Sequence, residues 1–598
     1  MRSIVLAGLL LLLLSGCTSR ASATPDDAGK FIDNVNDSKL RLGAPNNQAR
    51  WLADNFITED TQAIKARTNQ AYIDAMASFA KEAVKFDKLA VPTDIRRELD
   101  LLKLSLTMAT PSDPKEGEEL AKLSASLQAS YGKGKWCENP GKPDSCLDID
   151  KITNTMAESF DEKRLRQVWE GWHTISPPMR RDFTRFVELS NKGAKELGFA
   201  DTGVMWRSKY DMSPEEFEKE VNRIWEQVRP LYLSLHAYVR MKLHEKYGDI
   251  VPANGPIPAH LLGDIWAQDW ENLYPLLKPA NADTGFDLTK ILKNRKTSPI
   301  EMVKMGERFY TSLGFAPLPQ TFWDRSLFVK PQDRDVVCHA SAWDIDYVED
   351  LRIKMCIEAR ANDFGTIHHE LGHNFYQRAY NTLPALFRDG ANDGFHEAIG
   401  DTIALSVTPE YLVKIGLLDK APDSSRDIGL LLSRALDKVA FLPFGLLIDQ
   451  WRWKVFSGEI SPADYNKTWW ALRLKYQGIA PVMPRGEEFF DPGAKFHVPA
   501  NVPYTRYFLA DILQFQFHRA LSKSAGCTTP LHRCSIYESK EAGERLNAML
   551  SLGMSKPWPE ALEAMTGSKQ MDATAMMDYF APLKTWLDEQ IKGKPVGW

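Results

Sequence analysis

The sequence predicts a mainly α protein, built as one large unit, with a small β-hairpin near its middle. Three observations carry that expectation. Apolar residues recur at steps of three and four through most of the chain, the spacing of one face of an α-helix. Beyond the N-terminal region the 598 residues contain no repeat, low-complexity tract or Gly/Ser-rich linker, so nothing divides the length into separate domains. One short region, Val336 to Ala359, alternates apolar residues about a polar turn, which is the period of strands.

The first residues, MRSIVLAGLLLLLLSGC, have the layout of a secretory signal: Arg2, an apolar run from Ile4 to Leu14, then small residues. The run is too short to span a bilayer. Leu14-Ser15-Gly16-Cys17 resembles the bacterial lipobox, in which cleavage precedes the cysteine and the new terminal Cys17 carries lipid. The reading is a signal at residues 1–16, a lipidated polar tether at 17–29 and a single domain at 30–598. Several acyl chains on one terminus suffice for stable anchoring, at about 0.8 kcal/mol per buried methylene. Thr18 is not the aspartate that retains enteric lipoproteins at the inner membrane. The expected location is therefore periplasmic or cell-surface, anchored to the outer membrane.

Asn47 to Phe86 lacks proline and glycine and should form one or two long amphipathic helices. Pro214 to Gly248 should form another, capped by Ser213, entered by Pro214, kinked at Pro230 and ended at Gly248. Beyond Cys17 the cysteines fall in three close pairs: Cys137 with Cys146, Cys338 with Cys356, and Cys527 with Cys534. Fifteen pairings are formally open to six cysteines, but neighbours close the cheapest loops. Such bridges imply an oxidising compartment. The Cys338–Cys356 bridge would staple the arms of the hairpin, for about 3 kcal/mol of loop entropy. A net charge of −5, with no run of lysine and arginine, excludes a basic face for nucleic acid.

The chemistry concentrates in GTIHHELGH, Gly365 to His373, which holds three of the chain's 12 histidines. His369 and His373 are four apart, so on a helix their imidazoles leave one face a turn apart and can bind one cation. Glu370 lies on the flank, within reach of a water on that cation. Two imidazoles without a thiolate suit Zn²⁺, and a catalytic site keeps one tetrahedral position open. GFHEAIGD, Gly394 to Asp401, offers a third ligand in Glu397, 24 residues after His373 and beyond a loop at DGANDG. Asp401, one turn further, can accept the free N–H of a ligand histidine and fix its tautomer. His396 points about 100° away from Glu397 and is set aside. One Zn²⁺ per chain, at His369, His373 and Glu397, is the expectation.

HHELGH, GFHEAIGD, VVCHASAWD, GPIPAHLLGDIWAQ, FLPFGLLIDQWRW and DPGAKFHVPANVPYTRYF together resemble the angiotensin-converting enzyme family of zinc peptidyl dipeptidases, in particular its bacterial members, from about residue 30 to Trp598. The resemblance implies a large helical ellipsoid with a deep substrate channel between two halves, the zinc helix on its floor and the small hairpin near the active site. It implies release of dipeptides from short peptides with a free C-terminus, with Glu370 as general base toward a water whose pKa zinc lowers to about 7. The family's oxyanion donors match His497 and Tyr507. Its holders of the substrate's terminal carboxylate match Gln268, Lys495 and Tyr504. Relatives that remove a single residue carry arginine at the position of Gln268, so glutamine favours dipeptide release. His339 matches a side-chain contact and Ala340 a backbone contact of the strand that pairs with substrate, and Asp363 matches a product-side pocket. A monomer is the family default.

Activation by chloride is a family property. Tyr210 and Arg506 match the chloride site near the groove. Trp469 and Arg473 match two members of a more distant one, where His173 takes the place of an arginine. Leu371 replaces the usual methionine in the zinc motif, and Asp393 replaces a proline before Gly394. Other classes stay open on the residues: a zinc endopeptidase or carboxypeptidase of the same H-E-x-x-H kind, or a surface-tethered peptide binder without catalysis. Glu370, His497 and Tyr507 argue against the binder, which has no need of a general base.

Overall fold

The computed structural model describes residues 23–279 and 285–598. Within them the chain forms twenty-three α-helices and three two-stranded sheets, the mainly α architecture expected. The signal segment and Cys17 lie outside the described residues. No helix among those described is long and apolar enough to cross a membrane.

The first helix, α1, spans Pro25–Asn55. Thr24 caps it reciprocally: its Oγ accepts the Asp27 N–H and the Asp27 carboxylate accepts the Thr24 N–H. Two expectations are corrected here. Residues 25–29, read as tether, are the first turn of this helix, with Ala28 fully buried. The helix also starts well before Asn47 and runs through Gly43 and Pro45. An interior proline costs about 3 kcal/mol. Phe31, Ile32 and Val35 are all buried, and each contributes about 1.5–3 kcal/mol. Packing therefore overrides propensity. Phe31 meets Phe79 of α2 (Glu59–Ala83) edge to face at 6.0 Å, and Thr58 caps α2.

Pro214–Tyr247 forms α3 as expected, with a Ser213–Glu216 capping box and Gly248 at φ 60° closing it. It continues through Pro230. The site rests on five later helices: α4 (Pro299–Leu313), α5 (Ala361–Tyr380), α6 (Phe395–Leu405), α7 (Asp427–Ser457) and α8 (Thr505–Ser524). HHELGH lies in α5, which packs on α4 and α6. GFHEAIGD lies in α6, which packs on α8, and α7 packs on both α3 and α8.

The hairpin pairs β1 (Ser341–Asp344) with β2 (Leu351–Lys354), antiparallel, with Ser341 opposite Lys354 and Asp344 opposite Leu351. Its turn is tied by one carboxylate oxygen of Asp346, which accepts the N–H groups of Val348, Glu349 and Asp350. The first arm was expected to begin at Val336, but pairing starts at Ser341. Other partners hold the chain upstream: Val337 N–H donates to Asp54 O, and the buried Lys354 Nζ donates to Val337 O and His339 O. All three expected disulfides are formed: Cys137–Cys146, Cys338–Cys356 and Cys527–Cys534.

Candidate active site

Two glycines let the metal-bearing helices meet. A Cβ on Gly372 of α5 would lie 2.9 Å from Gly400 Cα of α6, and a Cβ on Gly400 would lie 2.7 Å from His369 Nδ1. Only bare backbone fits at that crossing, and it brings Glu397 to the histidines. His369 Nε2 and His373 Nε2 stand 3.1 Å apart, and Glu397 Oε2 is 3.6 Å from His369 Nε2. Ligands about 2.0–2.1 Å from one tetrahedral zinc stand roughly 3.3 Å from each other, so this donor set fits that ion. The third histidine, His368, is core: Nδ1 meets Phe364 O and Nε2 the Tyr411 hydroxyl.

Asp401 does what its position predicts. Its carboxylate is 2.9 Å from His369 Nδ1, with Lys438 of α7 on its other oxygen at 3.5 Å. Burial lowers the His369 pKa, but the Asp401 hydrogen bond and charge reverse this and hold it at about 9. Burial and the neighbouring His369 and His396 keep His373 well below its ordinary value. Burial raises Glu370 to about 7, opposed by His369, and the backbone N–H of Ala342 in β1 steadies its carboxylate.

His396 stands outside the group of His369, His373 and Glu397 that could hold a metal ion. Its angle from Glu397 on α6 says nothing of what α5 brings opposite: His396 Nδ1 lies 3.2 Å from His373 Nδ1, its Nε2 meets the Tyr380 hydroxyl at 3.1 Å, and its ring lies on Tyr376. It orients the second histidine as Asp401 orients the first.

The three expected holders of a carboxylate converge from distant parts of the chain. Lys495 Nζ and the Tyr504 hydroxyl both donate to Gln268 Oε1, each at 2.9 Å. Lys495 is buried against the Trp266 ring, and burial brings its pKa down to about 8. His497 packs on Tyr504 and Tyr507, with ring centroids 4.6 and 5.7 Å apart. Its pKa is pushed down to about 3 by burial and then Lys495, so it is neutral at pH 7. Tyr507 is raised by burial and feels the Glu397 charge. Sequence reasoning missed what holds this loop. Asp449 and Arg452, three apart on α7, form a buried pair. Arg452 donates to His497 O and Val502 O, and Asp449 accepts the Tyr504 and Thr505 N–H groups that open α8. Their i, i+3 spacing in FGLLIDQWRW was the available signal.

Two cavities flank the metal ligands. One of about 690 Å³ is lined by Arg50, Tyr72, Trp343, Gln377 and Arg388. The other, about 970 Å³, is lined by Glu271, Met355, Asp363, Thr366 and Asp437. His339, Ala340, His369 and Glu370 line both, so His369 and Glu370 stand where the two cavities meet, with His373 and Glu397 on the side of the first. Asp363 also accepts the Glu358 N–H and pairs with Arg360.

Tyr210 and Arg506 line one pocket of about 30 Å³, but Arg506 faces a carboxylate of the chain, Asp393, at 3.1 Å. At the more distant position Arg473 lies over Trp469, while burial lowers His173 to about 4, leaving it neutral at pH 7; the neighbouring Arg485 is paired with Asp491.

The comparisons agree with this geometry. A family profile described as angiotensin-converting enzyme, peptidase M2, matches residues 22–598. The angiotensin-converting enzyme of the rat is 44% identical over 593 residues, covering 96% of this chain and 44% of the rat protein. That of cattle is 42% identical over 586 residues, with the same coverage of 96% and 44%. The chain thus spans less than half the length of these mammalian relatives. The enzyme of the leech Theromyzon tessulatum is 41% identical over 585 residues and covers 96% of this chain and 94% of its own length. With matches running end to end through both metal-bearing helices, the chain belongs to the angiotensin-converting enzyme family, peptidase M2.

Proposed function

We propose that the protein is a zinc peptidyl dipeptidase that removes dipeptides from the free C-terminus of short peptides. One observation carries the reading: the convergence of Lys495 and Tyr504 on Gln268 Oε1. This amide oxygen marks the spot where an incoming carboxylate would find one cationic and one neutral donor, and such charge-assisted bonds are the strong ones. A binding point for a chain end makes an exopeptidase, and glutamine in place of arginine favours the dipeptide over the single residue.

His369, His373 and Glu397 would hold the ion. When bound, zinc supplies Lewis acidity and lowers the pKa of a coordinated water to about 7. Glu370 takes the proton of the attacking water and passes it to the leaving amine. His497 and Tyr507 donate to the oxyanion that develops. Ala340, at the unpaired edge before β1, offers backbone to an extended peptide, with His339 beside it. Asp363 lines the product-side cavity. The working unit is a monomer. The leader reading and three disulfides support an exported lipoprotein anchored through Cys17.

Mass spectrometry of the products from a free-ended decapeptide tests the activity, using protein without Cys17, with and without chelator, beside Glu370→Gln. Stepwise dipeptide loss that both controls abolish supports the reading. Single-residue loss or internal cuts overturn the role of Gln268.

A further inference from the structure

Asp393 closes the loop before α6, four residues ahead of Glu397. One carboxylate oxygen lies 2.6 Å from Lys209 Nζ and the other 3.1 Å from Arg506 NH2, and the side chain is 11% exposed. Arg506 precedes Tyr507 in the first turn of α8. The resemblance calls for a diffusible halide beside this arginine. In this chain the cations are already bridged, and a second anion at the same place would face a carboxylate at close range, which electrostatics opposes. Asp449 lines the same pocket. The 30 Å³ that remains is room for about two waters.

We infer that Asp393 is a tethered replacement for the halide: a positioning residue that holds Arg506 beside Tyr507 and ties both to the helix carrying Glu397, so that activity does not depend on chloride. The inference rests on the roles of Tyr507 and Glu397 proposed above. Burial alone would raise the Asp393 pKa, but Lys209 and Arg506 hold it below the ordinary value, so the anion is present throughout the neutral range. A fixed anion also has no dissociation step. Its occupancy is independent of salt, whereas a bound ion leaves the site in dilute medium.

The test compares wild type, Asp393→Asn and Asp393→Glu in sodium chloride against sodium gluconate at equal ionic strength. Three properties are read: peptide hydrolysis, melting temperature, and anomalous scattering from bromide in crystals. Wild type and Asp393→Glu should be indifferent to the anion and show no bromide at Arg506. Asp393→Asn should lose roughly tenfold in rate in gluconate, recover in chloride, melt higher in chloride than in gluconate, and bind bromide at Arg506. Saturable activation of wild type by chloride would overturn the inference. So would a bromide peak at Arg506 in wild type, or a loss in Asp393→Asn that no halide restores in rate or melting. If no variant cuts any peptide, the proposed function fails, while the melting and bromide readings still decide the role of Asp393.

Discussion

Replacing Lys495 by methionine keeps most of the side-chain volume and removes the ammonium. A hydrogen bond to a charged partner contributes about 1.5–3 kcal/mol, so kcat/KM for a peptide with a free C-terminus should fall roughly 10- to 150-fold. The same peptide with an amidated C-terminus never used that charge and should change little. Acidity gives a second reading. With a pKa near 8, Lys495 is protonated in about nine of ten molecules at pH 7. The competent form is the protonated one, so it is lost as pH rises. Because kcat/KM reports the free enzyme, it should fall about tenfold per unit above pH 8 in wild type, and that limb should vanish in Lys495→Met. The assay is initial-rate hydrolysis of the paired peptides from pH 6 to about 10. Equal losses on free and amidated peptides, or an alkaline limb that persists in the variant, would refute the reasoning.

Glu370→Gln should lower kcat by about 10²–10⁴-fold while bound zinc, measured by elemental analysis, stays at one per chain; loss of the metal would mean the residue is structural. Asp401→Asn should weaken zinc binding by about 10–100-fold in a competitive chelator titration, and His396→Phe should weaken it through His373; unchanged affinity in both would remove them from the metal's support. Cys338→Ser with Cys356→Ser opens a loop of separation 18 and should cost about 3 kcal/mol, read in denaturant melts, with the loss greatest for peptide binding along Ala340.

The residues legible in the sequence were those whose partners are near in the chain. His369, His373 and Glu370 declare themselves by helical spacing, and Glu397 and Asp401 by one further turn of helix across a short loop. Gln268, Lys495 and Tyr504 have no periodicity in common. They meet only after separations of more than two hundred residues are closed, and resemblance alone pointed to them. The contact of His396 with His373 was not legible because a helical wheel describes one helix, and the two residues stand on different ones. The start of α1 was lost because Gly43 and Pro45 carry local signals that buried Phe31, Ile32 and Val35 outweigh. Asp393 was visible as a departure from the family, but nothing in the sequence tied it to Lys209, 184 residues earlier.

The three disulfides join cysteines that follow one another along the chain, at separations of 9, 18 and 7. Beyond Cys17, an oxidant that pairs each thiol with the last one to emerge therefore makes the native set the first time. None of the fourteen alternative pairings has to be undone, so maturation should proceed without a disulfide isomerase. None of the bridges links one end of the chain to the other, so none of them closes the long-range contacts at Gln268. Oxidation of each pair thus needs only a short local loop to close.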